Sequence, residues 1–289
     1  MKFINKLIII LLVIGLGACS DILDLDLQDN PNAVTPENAS LNDLYNSVQL
    51  NFVGTFLSAQ FTAGAAARMY HAGGGTYEDF APAEQLDGLW TNAYTNLFPD
   101  IEALLAIAEP NGFDIHAGSA KIMKAYTMLT LVDMLGNVPN SQALQGTDQI
   151  SPSADADSDV YSSALALLDE AIGQLSGSSA SSPSFEGFFG GDASQWVRAA
   201  NTLKFKSAMN MRDASTINSL VSSNSVIASS DDDFEAQFGS QRANPNSRHW
   251  MYNNHYEAND GNYLSNYFMW LLNGDKVGSS GAAITDPRS

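Results

Sequence analysis

Cys19 is the only cysteine in this 289-residue chain, and its surroundings give the thiol a specific chemistry. Lys2 and Lys6 precede an almost unbroken apolar run over residues 7–16, which Leu16-Gly17-Ala18-Cys19 closes. The run is too short for a stable membrane-spanning helix but has the form of a secretory signal. A small-residue cleavage site that ends in cysteine lets the thiol take a diacylglycerol, and cleavage before it leaves an acylated N-terminus. This pattern predicts a signal peptide over residues 1–18 and a mature chain attached to a membrane through its lipid. With no second cysteine there is no disulfide, no thiolate metal site and no cysteine nucleophile.

A second chemistry lies in residues 241–270. This stretch holds Arg242, Arg248, His249, Trp250, Tyr252, Asn253, His255, Tyr256, Glu257 and several further asparagines. Flat aromatic faces stack on sugar rings, and planar amides or carboxylates meet pairs of hydroxyls. Before residue 262 the stretch lacks periodicity, as a binding loop does. Trp250, Tyr252 and Tyr256, with Asn253 and His249, are the candidate ligand-binding residues; the competing reading is that loop aromatics cap the core. Tyr263, Tyr267 and Trp270 have helical spacing and are expected in the core. A second candidate is Tyr70-His71 with Gly73-Gly74-Gly75 and Tyr77, where glycines let backbone approach a ligand closely. It lacks the lysine-serine pair of a phosphate loop and also reads as an ordinary turn.

Other constellations are weaker. His71, His116, His249 and His255 have no helical metal-ligand spacing. Asp231-Asp232-Asp233 with Glu235 lacks the alternating ligands and glycine turn of a calcium loop, and reads as a solvated acidic turn. No nucleophile elbow, paired-carboxylate glycosidase site or cofactor loop stands out, so neither an enzyme nor a bound cofactor is expected. Charge narrows the partners. The chain has 13 basic and 32 acidic residues, net −19. Loss of Lys2 and Lys6 with the signal leaves 11 basic against 32 acidic, net −21. That field disfavours nucleic acid and anionic lipid headgroups, and is compatible with neutral sugars, peptides or cations.

The elements that must hold these groups read as helices. Residues 19–40 carry aspartates, asparagines and two prolines without helical periodicity, and form an extended tether ahead of a domain over 41–289. Ser40 or Asn42 caps a first helix running through Leu44, Val48, Phe52 and Phe56 to about Ala67. A second, from about Glu84 to Ala108, carries Trp90 on its apolar face and is kinked or split by Pro99. A third covers about 117–135 and stops at Gly136. A fourth covers about 158–175, with Val160, Ala164, Leu167, Ala171 and Leu175 on one face and Asp157 or Ser158 as cap. Residues 176–194 read as a flexible surface loop. A fifth helix, about 194–212, carries Trp196, and a short sixth lies near 215–224. A short strand near Phe234–Phe238 and a last helix over about 262–272 complete the chain. The fold class is mostly α, with tetratricopeptide-like helical hairpins, irregular loop-rich segments and little strand.

Several of these segments together resemble the SusD/RagB family of outer-membrane nutrient-binding lipoproteins, most closely its SusD-like branch. They are Leu25-Asp26 with Asn30-Pro31-Asn32, then Lys121-Ile122-Met123-Lys124-Ala125-Tyr126 running on to Asp133-Met134-Leu135-Gly136-Asn137-Val138-Pro139. The helix around Leu167-Leu168-Asp169-Glu170-Ala171-Ile172 follows, then Gly190-Gly191-Asp192 with Trp196, Ala200-Asn201, Leu203-Lys204 and Met211-Arg212, and finally Asp286-Pro287-Arg288. They occur in family order. Met134-Leu135 stands where the family usually has an aromatic residue before the glycine. Family members continue well past the segment resembling Asp286-Pro287-Arg288, so the sequence is expected to be an incomplete, C-terminally truncated member. The resemblance implies a surface lipoprotein of the outer membrane, facing the cell exterior. It would bind a neutral oligosaccharide or other nutrient and deliver it to a SusC-like TonB-dependent transporter. A helical scaffold for protein interaction, without a small ligand, is the alternative.

Overall fold

The computed structural model describes residues 40–70, 83–177, 179–243, 246–249, 251, 252, 257 and 264–274. The signal, Cys19, the tether, the triglycine with Tyr77, and Trp250, Asn253 and Tyr256 lie outside these residues. The described part is mostly helical and has no strand ladder, only the isolated antiparallel bridges Tyr70–Leu264 and Val138–Asp155. None of its helices is long and apolar enough to cross a membrane.

Helix α1 (Leu41–Ala66) starts at Ser40, whose hydroxyl accepts the Asp43 N–H at 3.2 Å. The expected second helix is divided. A 3-10 turn (Ala83–Leu86) leads into α2 (Asp87–Thr91), a π-turn (Asn92–Leu97) and α3 (Phe98–Ala108). Pro99 lies in the first turn of α3, where its missing N–H breaks the i→i−4 ladder, and the wider π-turn absorbs the break. The π-turn also changes the phase of the apolar face. Leu89, Ala93 and Leu97 are buried, while Trp90, expected in the core, is 40% exposed and packs on Tyr94.

Helix α4 (Asp114–Leu135) is the central element, buried on nearly every side, and ends at Gly136 with φ 79°. It pairs with α5 (Asp157–Leu175), on which Leu168 rather than Leu167 takes the buried position. The cap of α5 also differs from expectation. The N-cap is Ala156, and the Asn137 side chain accepts the Asp157 N–H at 3.1 Å. Helix α6 (Ala193–Met211) starts at Asp192, and α7 (Ala214–Ser222) at Asp213, whose carboxylate accepts the Ser215 and Thr216 N–H groups. Short helix α8 (Asn266–Leu272) is capped by Ser265. Tyr267 and Trp270 share a face of α8 as their spacing requires, but are 42% and 40% exposed. Periodicity shows that residues share a face; it does not show that anything covers that face.

Antiparallel neighbours α4 and α5 pack closely at Gly118. A Cβ there would lie 2.5 Å from Leu175 Cγ, inside van der Waals contact. Gly118→Ala is therefore expected to spread the hairpin and to destabilise the fold by about 1–3 kcal/mol, as overpacking does, despite alanine's better helix propensity. A lowered urea midpoint at unchanged m-value is the measurement. A raised midpoint would mean that Leu175 has room to turn aside.

Residues 176–194 are not merely a surface loop. Phe188 and Glu186 are buried. The Glu186 carboxylate accepts the N–H groups of Phe188 (2.8 Å), Phe189 (2.7 Å) and Gly191 (2.9 Å), closing the segment on itself. Gln49 of α1 then holds it by accepting the Gly187 N–H at 2.7 Å.

Candidate functional site

The loop over 185–191 forms one wall of the site, and α1 and α6 form others. The extended segment 233–239 crosses between them. Over residues 233–237 its exposure alternates, with Phe234 and Ala236 turned inward and Glu235 and Gln237 outward, and Phe238 is exposed. The expected strand near Phe234–Phe238 does not form: the segment is extended, but its one backbone hydrogen bond to the 185–191 loop is Gln237 N–H donating to the Gly187 carbonyl at 2.8 Å. Side chains hold it instead. Phe234 stacks on Phe52 and Phe189 and meets Trp196 edge-on, its ring centroid 5.9, 5.4 and 5.1 Å from theirs. Upstream, Arg198 donates to the Asn224 and Val226 carbonyls and pairs with Asp232 at 3.5 Å. The acidic run 231–233 therefore spends one carboxylate on the chain's own arginine. No group of three potential metal ligands occurs among the described residues.

Two hollows flank this segment and share Val53, Phe188, Ala236 and Phe238. The first, about 540 Å³, has mostly apolar walls from Phe52, Phe56, Tyr126, Ile227 and Phe234, with His249, Gln60 and Lys206 at its edges. Lys206 is paired with Asp133 at 3.3 Å, and burial raises the Tyr126 phenol above its usual range, helped by that same carboxylate. The second hollow, about 700 Å³, mixes Phe185 and Phe238 with the amides of Asn46, Gln237 and Asn246 and with Arg248. Both volumes suit a small organic ligand.

Arg248 organises the edge of the second hollow. It donates to both Glu257 oxygens, at 2.7 and 3.3 Å, and through Nε to Asn246 Oδ1 at 3.1 Å. Its guanidinium lies 5.0 Å from the Tyr252 ring centroid. The bidentate pair holds the Glu257 carboxyl below the usual range, so the clamp persists through neutral and mildly acidic pH and is lost as pH falls through that lowered pKa. His249 sits edge-on to Phe238 at 4.7 Å, and its Nδ1 accepts the Met251 N–H at 3.2 Å. Burial lowers its pKa, favouring the neutral imidazole.

Of the residues singled out in the sequence, His249 lines the first hollow, and Tyr252 lies beside Arg248 with 48% of its surface exposed. Tyr70 is not in either wall. Its hydroxyl accepts from Gln60, which is, and its ring lies on α1 where Gly64 leaves room. The Tyr70–Leu264 bridge joins Tyr70 to the residue two positions before α8. Trp250, Asn253, Tyr256 and Tyr77 are outside the described residues. Sequence reasoning missed Asn46, Phe185, Gln237 and Phe238. The aromatic triplet Phe185, Phe188 and Phe189 was the available signal, unusual in a loop otherwise rich in serine and glycine.

Residues 34–274 match the model of a SusD-like family described as starch-binding and associating with the outer membrane, and the chain belongs to that family. Solved structures show the same fold. A SusD/RagB family protein from Bacteroides thetaiotaomicron is 18% identical, with TM-score 0.67, covering 86% of this chain and 58% of its own. A chitin-binding protein is 21% identical, with TM-score 0.63 and coverages of 85% and 59%. A SusD homologue from Bacteroides vulgatus is 19% identical, with TM-score 0.61 and coverages of 80% and 50%. The chain thus spans between half and three-fifths of the length of these structures. No curated protein matches the sequence.

Proposed function

We propose that this protein is a lipid-anchored binding protein of the outer membrane, exposed at the cell surface, which takes up a neutral oligosaccharide and delivers it to a SusC-like TonB-dependent transporter. One observation carries the ligand class. The 700 Å³ hollow joins aromatic faces to planar amides and a guanidinium, the groups that stack on sugar rings and meet their hydroxyls. Net charge −19 favours a neutral ligand over an anionic one. Binding and handing over a sugar require no bond to be made or broken, which fits a non-enzymatic role. Family membership supports the location and the general role.

Phe238→Ala and Tyr252→Ala are each expected to weaken binding of a neutral oligosaccharide by about 1–2 kcal/mol, as loss of an aromatic contact does, with the fold intact. Titration calorimetry against a panel of neutral glycans, at low and high salt, measures it; binding should be nearly indifferent to salt because the ligand has no charge to screen. Affinity that survives both substitutions would place the ligand elsewhere. No binding to any glycan would favour a protein-interaction scaffold.

The anchor has its own test. Cys19→Ala removes the only thiol that can carry the lipid, so the protein should move from the membrane fraction to the soluble fraction. A variant that still sediments with outer membranes and shows no change in mass would rule out lipidation at Cys19.

A further inference from the structure

A third hollow, about 330 Å³, lies away from segment 233–239, between α3, α4 and the connection from α4 to α5. Its wall combines the Tyr94 ring with the Lys124–Glu102 ion pair, Asn140 and Leu144. Trp90 is not in this wall, but it packs on Tyr94 with ring centroids 4.6 Å apart and is 40% exposed, which makes it a neighbouring reporter of the Tyr94 ring. Lys124 Nζ donates to Glu102 Oε1 at 2.5 Å. Among the described residues, the second carboxylate oxygen and the remaining ammonium protons make no further hydrogen bond. An ammonium that donates beside a carboxylate that accepts offers both hydrogen-bonding senses with no net charge. Adjacent hydroxyls on a sugar ring need this combination, and an anion or cation gains little from it.

The rim is fixed before any ligand arrives. The Asp155 carboxylate accepts the Asn140 N–H (2.7 Å), the Ser141 N–H (2.8 Å) and the Ser141 hydroxyl (2.6 Å). Tyr94 donates its hydroxyl to the Pro139 carbonyl at 2.6 Å, so its ring is held in place. Leu144 adopts φ 64° without being glycine, a costly conformation that this anchored connection sustains. Preorganisation of this kind lowers the ordering cost of binding.

We infer that this hollow is a second carbohydrate subsite that takes one neutral sugar ring against Tyr94, on which Trp90 packs, with Lys124 and Glu102 meeting its hydroxyls. The inference rests on the proposed glycan-binding role only for the class of ligand. The site and its residues are separate from the hollows beside Phe238.

The test uses the full chain labelled with 5-fluorotryptophan, with the Trp90 resonance assigned by Trp90→Phe. The probes are the neutral methyl glycosides of glucose, galactose, mannose and N-acetylglucosamine. At least one is expected to shift the Trp90 resonance saturably. The combined substitution Glu102→Gln and Lys124→Met should raise the apparent Kd at least tenfold, while Phe238→Ala leaves it unchanged. The ion pair is part-exposed and contributes little to stability, so the variant should fold, which an unchanged urea midpoint verifies. A Trp90 resonance indifferent to all four glycosides overturns the inference. So does a shift that survives the double substitution, or one abolished by Phe238→Ala. Oligosaccharide binding that depends on Phe238 while Trp90 stays silent would leave the proposed function standing and remove only this subsite.

Discussion

Replacing Trp196 by alanine is expected to destabilise the fold by about 3–5 kcal/mol, the range for removing a large buried ring. Trp196 is fully buried on α6, and its ring meets Phe188, Phe189 and Phe234 at 5.6, 5.2 and 5.1 Å. Those three rings come from two segments without regular structure, which could not hold their positions over an empty space. The cavity should therefore loosen the 185–191 loop and segment 233–239 together, and glycan binding should fall with stability. Trp196→Phe separates the contributions. The indole N–H has no hydrogen-bond partner in the described structure, so phenylalanine forfeits packing area and no hydrogen bond. Its cost should be well under half that of alanine. Urea unfolding of both variants measures the difference, and equal costs would mean that the indole N–H has a partner after all.

Replacing Glu186 by alanine is expected to cost about 3 kcal/mol, by a different mechanism. The side chain is the sole acceptor described for the N–H groups of Phe188, Phe189 and Gly191. A buried donor left unpaired costs about 1–3 kcal/mol, and water can reach the part-buried ones, so the three costs do not add fully. Glu186→Gln keeps one acceptor oxygen and nearly the same shape, and should recover part of the loss. Amide hydrogen exchange provides a local readout. Phe188, Phe189 and Gly191 should exchange faster in Glu186→Ala while the centre of α4 is much less affected. Unchanged exchange at all three would show that the loop is held by its aromatic rings alone.

The partners of both residues lie in segments that the sequence made look unimportant, and the reason is physical. Helix signals are local. The apolar spacing of α5, the Ser40 cap and Gly136 are each complete within a few residues, so the main helices could be placed from the sequence nearly to their ends. Loop structure here depends on partners far along the chain. Gln49 meets Gly187 across 138 residues. Phe52, Phe189, Trp196 and Phe234 converge from four separate segments. Composition alone reads 176–194 as a flexible surface loop because serine and glycine outnumber the residues that anchor it.

The candidate site divides in the same way. His249 and Tyr252 could be picked out because aromatic and amide residues crowd that stretch. Asn46 and Gln49 could not, because on α1 they are ordinary polar residues of an amphipathic helix. Trp90, Tyr267 and Trp270 show the opposite error. Their spacing placed them on apolar faces, and the π-turn at Asn92–Leu97 and the sparse packing of α8 left them exposed.

By itself the sequence determined the helical class, the order of the helices, the acidic charge and the family, because propensity, periodicity, charge and motif order are properties of short segments or of the whole composition. Tertiary structure alone decided which of the helices' apolar faces are covered, how Glu186 and Gln49 turn a serine-glycine loop into a wall, and where aromatic rings meet amides to form hollows. Those outcomes depend on distances between residues far apart in the chain, and such distances exist only once the helices have packed.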